Sequence, residues 1–280
     1  MNSPDELRHQ LFTEGYCVAP GLLGETLLQR LRKAIQPIIK SDRDSARPHF
    51  GLITACPYED DAFAELIAWP PALQLLREMG FEDNRWMSFY LIDKPPYSRP
   101  LWWHQDWLFW DDPMSATARP VQVFLSYYLE DTDVVNGCLR VIPGTHLQRH
   151  EVHDVLLTHD EVPADLPPDH PMFKDVAEAV DVPVQAGDIV LGDARLVHAA
   201  RANQTADHRP LLLGWYLLDF HLLSPPLQGA YSRGYGQHTF VPPAWWPGTA
   251  GTAVKPLVID PPTGEVAAQR NRKPGTYLKR

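Results

Sequence analysis

The chain has 280 residues, 44% of them hydrophobic and 21% charged, a balance that supports a sizeable core and excludes an intrinsically disordered chain. Lys and Arg number 25 against 35 Asp and Glu, and the formal net charge of −10 argues against nucleic acid, an anionic membrane or a polyanionic substrate as partner. Cys17, Cys56 and Cys138 form no CxxC pair, the opening Met1-Asn2-Ser3-Pro4-Asp5-Glu6 has no signal character, and no apolar run approaches the ~20 residues of a membrane span, so a soluble protein of the reducing cytoplasm is expected.

Ser3-Pro4-Asp5-Glu6 has the form of a capping box and predicts a helix over Pro4 to Thr13, ended by Gly15. Leu27, Leu28, Leu31, Ile35, Ile38 and Ile39 recur at helical spacing, which predicts an amphipathic helix from Gly24 to Lys40. A third helical stretch, Asp60 to Met79, is broken at Pro70-Pro71 and stopped by Gly80. From Trp86 the chain changes to short segments rich in Val, Leu, Tyr, Trp and Phe between Pro, Gly and Asn clusters, the pattern of a β sandwich or barrel. Strands are expected at Trp86 to Ile92, Val121 to Leu129, Cys138 to Ile142, Val182 to Val184, Ile189 to Gly192 and Leu211 to Leu218, with a tight turn at Asn136-Gly137.

His150 to Val180 is polar, acidic and proline-bearing, and reads as a long excursion of the kind that covers active sites. After His221 the chain is rich in Pro and Gly; this arm cannot build its own core and either wraps the domain, meets a second subunit as in a homodimer, or stays mobile. One domain is therefore expected over 1–280: helical support in 1–85, a β core in 86–220 carrying the loop 150–180, and the arm 221–280.

The densest chemical signal is Leu101-Trp102-Trp103-His104-Gln105-Asp106-Trp107. On a strand, residues i and i+2 share a face with α-carbons roughly 7 Å apart, near enough for His104 and Asp106 to converge on one ion. With 12 histidines and 35 acids some His-x-Asp pair is expected by chance, and the plain alternative is a hydrogen-bonded pair at a strand end. His198, which follows two short strands with Gly187-Asp188 at their turn, is the best candidate for a third ligand. Two histidines and a carboxylate leave positions open for a 2-oxo acid and O2, the arrangement of non-haem iron(II) oxygenases. Around these residues, Trp102, Trp107 and Trp110 are either core packing or the aromatic wall of a pocket that takes an apolar or cationic small-molecule substrate.

Four blocks stand in a telling order: Phe12-Thr13-Glu14-Gly15-Tyr16 with Pro20-Gly21; His104-Gln105-Asp106; Asn136-Gly137-Cys138-Leu139-Arg140-Val141-Ile142-Pro143-Gly144-Thr145-His146; and Gly187-Asp188 through Arg209. In that order the chain resembles the phytanoyl-CoA dioxygenase-like family of iron(II)/2-oxoglutarate oxygenases. The resemblance implies a mainly β fold behind N-terminal helices, a double-stranded β-helix or cupin-like jelly roll with iron at its mouth. It places His104, Asp106 and His198 on the metal ligands, and Arg209, eleven residues after His198, on the arginine that pairs with the distal carboxylate of 2-oxoglutarate. A planar guanidinium suits that task because it grips a carboxylate bidentately and stays charged when buried.

Tyr90 matches a strand position that contacts the co-substrate, and Gln122 and Phe124 are expected along the same pocket. His146 and Asn136 are read as structural, and Cys138 as a core side chain. The retained Asp106 favours hydroxylation or another hydrogen abstraction over halogenation. Ala200 stands where many relatives carry a small hydroxyl residue, so that hydrogen bond is lost or supplied elsewhere. The implied activity is hydroxylation of a small organic molecule, secondary-metabolite or amino-acid-like, with iron(II), 2-oxoglutarate and O2 consumed and succinate and CO2 released. A cupin-like isomerase or hydrolase would use a similar triad without needing Arg209.

Overall fold

Helix α1 (Pro4–Glu14) starts where the capping box closes: Glu6 N–H donates to Ser3 Oγ, and Ser3 N–H donates to the Glu6 carboxylate at 2.7 Å. It ends at Gly15, whose φ of +85° lets strand β1 (Tyr16–Ala19) leave at once. A Cβ at Gly15 would lie 2.7 Å from His146 Nδ1, so the position demands glycine twice over. The computed structural model describes residues 2–42, 52–55, 60–157, 166–234, 249–259, 271 and 278. Helices α2 (Glu25–Asp42), α3 (Asp61–Ile67) and α4 (Pro70–Glu78) follow, the last two separated where Pro70-Pro71 forbids helical continuation.

The remaining strands are β2 (Leu52–Ala55), β3 (Arg85–Lys94), β4 (Leu101–His104), β5 (Gln122–Tyr128), β6 (Leu139–Val141), β7 (Val180–Val182), β8 (Ile189–Asp193), β9 (His198–Ala200) and β10 (Arg209–Leu217). Among the described residues they form two antiparallel sheets, one ordered β1-β8-β5-β10-β3-β2 and one ordered β4-β9-β6-β7. This is a double-stranded β-helix. Strand β7 begins two residues earlier than the sequence suggests, because Val184 is taken up in a separate bridge to Thr132.

Period-two alternation divides the six-stranded sheet into two faces. Outward, Leu91, Val123, Leu125, Leu212 and Tyr216 join Leu27, Leu31, Ile35, Phe63 and Leu76 of the helices in one core. Inward, the same strands face the four-stranded sheet across a cavity. The helices therefore hold the back of the sheet rigid while its front is left for chemistry.

The turn between β8 and β9 ties the molecule together. Arg195 and Asp193 form a fully buried ion pair at 2.7 Å, and the Arg195 guanidinium also donates to Ser115 O and Thr117 O at 3.0 and 2.7 Å. Losing one partner of a buried pair of this kind costs about 3–5 kcal/mol.

The C-terminal arm contains helices α5 (Pro225–Gly234) and α6 (Thr249–Val254) that its Pro and Gly content conceals. Leu227 and Tyr231 of α5 pack with Trp107, Phe109 and Trp110. Asn271 pairs with the segment beneath, accepting from Trp110 N–H and donating to Leu108 O. Of the features anticipated earlier, Cys56, residues 158–165 of the long loop, and Pro242-Pro243 and Pro261-Pro262 of the arm lie outside the described residues. No helix among the described residues is long and apolar enough to cross a membrane.

Candidate active site

His104 ends β4 and His198 begins β9, and the two are direct partners across that antiparallel pair. Their rings stand 4.1 Å apart at the centroids. Beyond His104 the strand is pulled aside, with Asp106 N–H and Trp107 N–H both donating to Ala194 O in the β8–β9 turn at 2.9 and 2.8 Å. That turn presents the Asp106 side chain to the histidines: Oδ1 lies 3.8 Å from His104 Nε2 and Oδ2 lies 3.8 Å from His198 Nε2. The three ligand atoms all fall within 4.8 Å of one another, a spacing one ion could bridge with bonds of ~2.0–2.2 Å.

Backbone carbonyls fix the imidazole tautomers. His104 Nδ1–H donates to Trp102 O at 2.9 Å and His198 Nδ1–H to Leu196 O at 3.0 Å, which leaves each Nε2 lone pair facing the shared point. Burial, and then the neighbouring His104, pushes the His198 pKa down to about 4, so the ring is held in the neutral form that binds metal. Asp106 Oδ2 accepts from Trp215 Nε1–H at 2.9 Å, which holds the carboxylate turned toward the histidines. Phe124 packs tilted against the His198 ring at 5.0 Å, and Gly192 opposite it in register makes the room: a Cβ there would meet the Phe124 ring at 2.0 Å.

A cavity of about 380 Å³ opens beside this triad. Its floor is a ladder across β3, β10 and β5: Ser88, Trp215 and Phe124 at one level, Tyr90, Leu213 and Ser126 at the next, then Ile92, Leu211 and Tyr128, and finally Lys94 beside Arg209. Arg209 is 3% exposed, its Nε and Nη1 have no hydrogen-bond partner, and burial pulls its pKa down. An unsatisfied buried cation is costly. The donor set fits a 2-His-1-carboxylate metal, and the guanidinium fits an anionic group lying in the cavity.

Of the residues singled out from sequence, Tyr90 and Trp102 line this cavity, Tyr90 standing edge-on to Trp215 at 5.3 Å. Gln122 also lines it, but at the opposite end of β5 from Tyr128 and Arg209, and its Oε1 accepts from Tyr231 OH at 2.8 Å. Its place along the pocket is as expected, at the end away from Arg209. Trp107 and Trp110 are corrected: both are fully buried beneath the C-terminal arm, outside the cavity lining, and Trp107 Nε1–H is spent on Ser115 Oγ at 2.8 Å. Strand β4 ends at His104, and the chain beyond it turns away from the cavity and runs under the arm.

Ala200 lines the cavity without a hydroxyl, while Ser126 and Tyr128 bring hydroxyls to the wall from β5. His146 is fully buried and Nε2–H donates to Phe12 O at 3.1 Å, a tie between the long turn block and α1. Thr145 Oγ1 accepts Val197 N–H at 2.9 Å, bracing the entry to His198. Asn136 closes its turn by accepting Asp133 N–H and donating to Asp131 O, both at 2.8 Å. Sequence reasoning missed Trp215, Lys94, Ser126 and Tyr128. The odd-numbered run 209, 211, 213, 215 on one face of β10 was the available signal for Trp215.

The profile of the phytanoyl-CoA dioxygenase (PhyH) family matches residues 12–211. The chain is similar to phytanoyl-CoA dioxygenase 1 of Oryza sativa subsp. japonica, 33% identical over 120 residues that make up 41% of this chain and 38% of that protein. It is also similar to a probable alpha-ketoglutarate-dependent hypophosphite dioxygenase of Stutzerimonas stutzeri, 27% identical over 164 residues, 57% of this chain and 54% of that protein. The chain spans about half the length of the curated relatives it matches. Among solved structures, the non-heme alpha ketoglutarate dependent epimerase SnoN from nogalamycin biosynthesis superposes with a TM-score of 0.57 at 23% identity, covering 76% of this chain and 82% of that one, a likeness of fold.

Proposed function

The chain belongs to the phytanoyl-CoA dioxygenase family, and from that membership we propose that it is an iron(II)- and 2-oxoglutarate-dependent oxygenase that hydroxylates a small, mostly apolar organic molecule. The observation that carries this reading is the coincidence, in one cavity, of three convergent ligand atoms and a buried guanidinium with unpartnered nitrogens. When bound, iron(II) with 2-oxoglutarate and O2 supplies an oxidant able to break a C–H bond, with succinate and CO2 as co-products.

The chain's own residues do the rest. His104 and His198 would hold the iron through Nε2 and Asp106 through its carboxylate, with Trp215 keeping that carboxylate in place. Arg209 would pair with the distal carboxylate of the co-substrate, and Ile92, Leu211 and Leu213 exclude water between the two ends. At the other end Met87, Trp102 and Leu108 are apolar, and Ser88 and Gln122 offer neutral hydrogen bonds. Apart from Lys94, every charged side chain among the described lining residues is committed to metal or co-substrate. The substrate is therefore recognised by shape and apolar contact, and a phosphate-rich CoA thioester finds no cation there. A non-redox metalloenzyme on the same triad would have no use for Arg209.

The test is succinate formation from 2-oxoglutarate with iron(II), ascorbate and O2, coupled to substrate or uncoupled. Turnover that disappears in His198→Ala supports the reading; succinate no higher than in that variant overturns it. Because a chain of similar fold is an epimerase, a product mass raised by one oxygen atom is what supports hydroxylation in particular.

A further inference from the structure

At the end of the cavity away from Trp215, two cations face each other. Lys94 and Arg209 are direct partners across the β3–β10 pair, both line the cavity, and they are 2% and 3% exposed. We infer that Lys94 is a second cation for the co-substrate, gripping the distal carboxylate of 2-oxoglutarate from β3 while Arg209 grips it from β10. This rests on the iron/2-oxoglutarate reading above and adds a residue to it.

Residues directly opposite each other in an antiparallel pair project to the same face with Cβ atoms about 4.5–5.5 Å apart, so the ammonium and guanidinium stems enter the cavity side by side. Like charges at that separation repel, and burial removes the water that would screen them. The adjacent carboxylate, Asp93, lies on the opposite face of the strand, bonded to His208 Nδ1 at 2.7 Å; it favours the charged Arg209, but less than burial disfavours it. Two nitrogens of Arg209 have no partner. Lys94 Nζ donates to Arg99 O at 2.8 Å, which uses one of three donors and leaves the others for a ligand.

The chain is also shaped around this lysine. Gly137, at φ +100°, packs on its stem, and a Cβ there would lie 2.7 Å from Lys94 Cε and 3.0 Å from Arg201 O. The tight turn Asn136-Gly137 thus clears the path along which Lys94 reaches inward. Burial and then Arg209 hold the Lys94 pKa down to about 7, the mark of a cation whose anion is supplied from outside. A carboxylate placed between the two side chains removes the repulsion and restores the full charge of both.

The experiment is anaerobic calorimetric titration of the iron(II)-loaded protein with 2-oxoglutarate and with 2-oxobutyrate, which has the same 2-oxo acid head and no distal carboxylate. Lys94→Gln is expected to weaken 2-oxoglutarate binding at least about tenfold, one charge-assisted hydrogen bond, and to leave 2-oxobutyrate within about twofold. Lys94→Arg is expected to recover part of the loss. Equal weakening of both ligands would mark Lys94 as structural and overturn the inference. Unchanged 2-oxoglutarate binding in Lys94→Gln, with a clear loss in Arg209→Leu, would overturn it while leaving the oxygenase reading intact. A parent protein that does not prefer 2-oxoglutarate to 2-oxobutyrate would sink both.

Should Lys94→Gln fail to fold, the unaltered protein decides. The ionisable groups around the Lys94–Arg209 end are Tyr128, held up at about 12, Cys138, held up at about 11, Asp93, bonded to His208, and Arg209, pulled down by burial; Lys94, held down to about 7, is poised to take up a proton at pH 8. Binding of 2-oxoglutarate at pH 8 should take up protons, read from heats in buffers of different ionisation enthalpy, and 2-oxobutyrate should not. Equal uptake for the two ligands would overturn the inference.

Discussion

The two ends of the cavity are built on opposite principles. At the metal end the groups that orient the three ligands are already answered: both histidine Nδ1–H groups by carbonyls, Asp106 by the Trp215 indole, and the backbone of Asp106 by Ala194. At the far end, by contrast, Lys94 and Arg209 stand in register on neighbouring strands with unfilled donors. Satisfied hydrogen bonds place a group rigidly; unsatisfied ones mark where the missing partner binds. The metal end is preorganised by the chain, whereas the cationic end waits for a ligand to complete it.

Substitutions at the two ends should therefore fail differently. Asp106→Ala at the metal end should abolish iron retention after dialysis and drop 2-oxoglutarate turnover to background, because no neighbouring carboxylate among the described residues can replace it; retained stoichiometric iron would break the contrast. At the other end, Arg209→Leu should raise the 2-oxoglutarate requirement roughly a hundredfold, the loss of two charge-assisted hydrogen bonds, with iron content unchanged. It should not lower the melting temperature of the ligand-free protein, since it removes a buried cation with two unpartnered nitrogens. A destabilised variant with unaltered affinity would reverse the assignment.

Trp215→Phe probes how much of the metal end depends on its outer support. It keeps the ring and deletes the indole N–H on Asp106, so iron affinity should fall about 10–100-fold with the 2-oxoglutarate requirement little changed at saturating iron.

A smaller effect concerns protons. Burial pushes His198 and His153 down to about 4, so both are neutral in the fold while the unfolded chain takes up protons near 6.5. The folded pKa is the lower one, so stability is full above about 6.5 and declines as the pH falls toward 4. Urea unfolding of the metal-free protein should show about 2 kcal/mol less stability for each of the two rings at pH 5 than at pH 7.5. A flat profile would mean these rings are not held neutral.

Much of the metal end was legible in the sequence, because it depends on local spacing and on block order. The helices α1 and α2 follow from period and capping, and block order singles out His104, Asp106 and His198, although Asp106 joins the histidines through the turn on Ala194 and not through strand alternation. What was not legible is non-local. Trp107 and Trp110 read equally as pocket wall and as core packing until the arm is seen to cover them through Leu227, Tyr231 and Asn271. Gln122 looked like a co-substrate contact because nothing local shows that Tyr231, over a hundred positions away, takes its amide oxygen. Lys94 was hidden for a different reason: followed by Pro95-Pro96 it resembles the polar end of a strand, and only its pairing with Arg209 shows that the strand carries a buried cation inward. The odd-numbered face of β10 could have placed Trp215 on the same side as Arg209, but its hydrogen bond to Asp106, over a hundred positions away, has no local signal.

The central claim, that one cavity holds iron at His104, Asp106 and His198 and an acid at Arg209, is tested most directly by titrating 2-oxoglutarate anaerobically into the iron-loaded and the metal-free protein. The account predicts saturable one-site binding that weakens severely when iron is withheld and again when Arg209 is replaced by Leu. Binding that is indifferent to both the metal and Arg209, or no binding at all to the loaded protein, would contradict it.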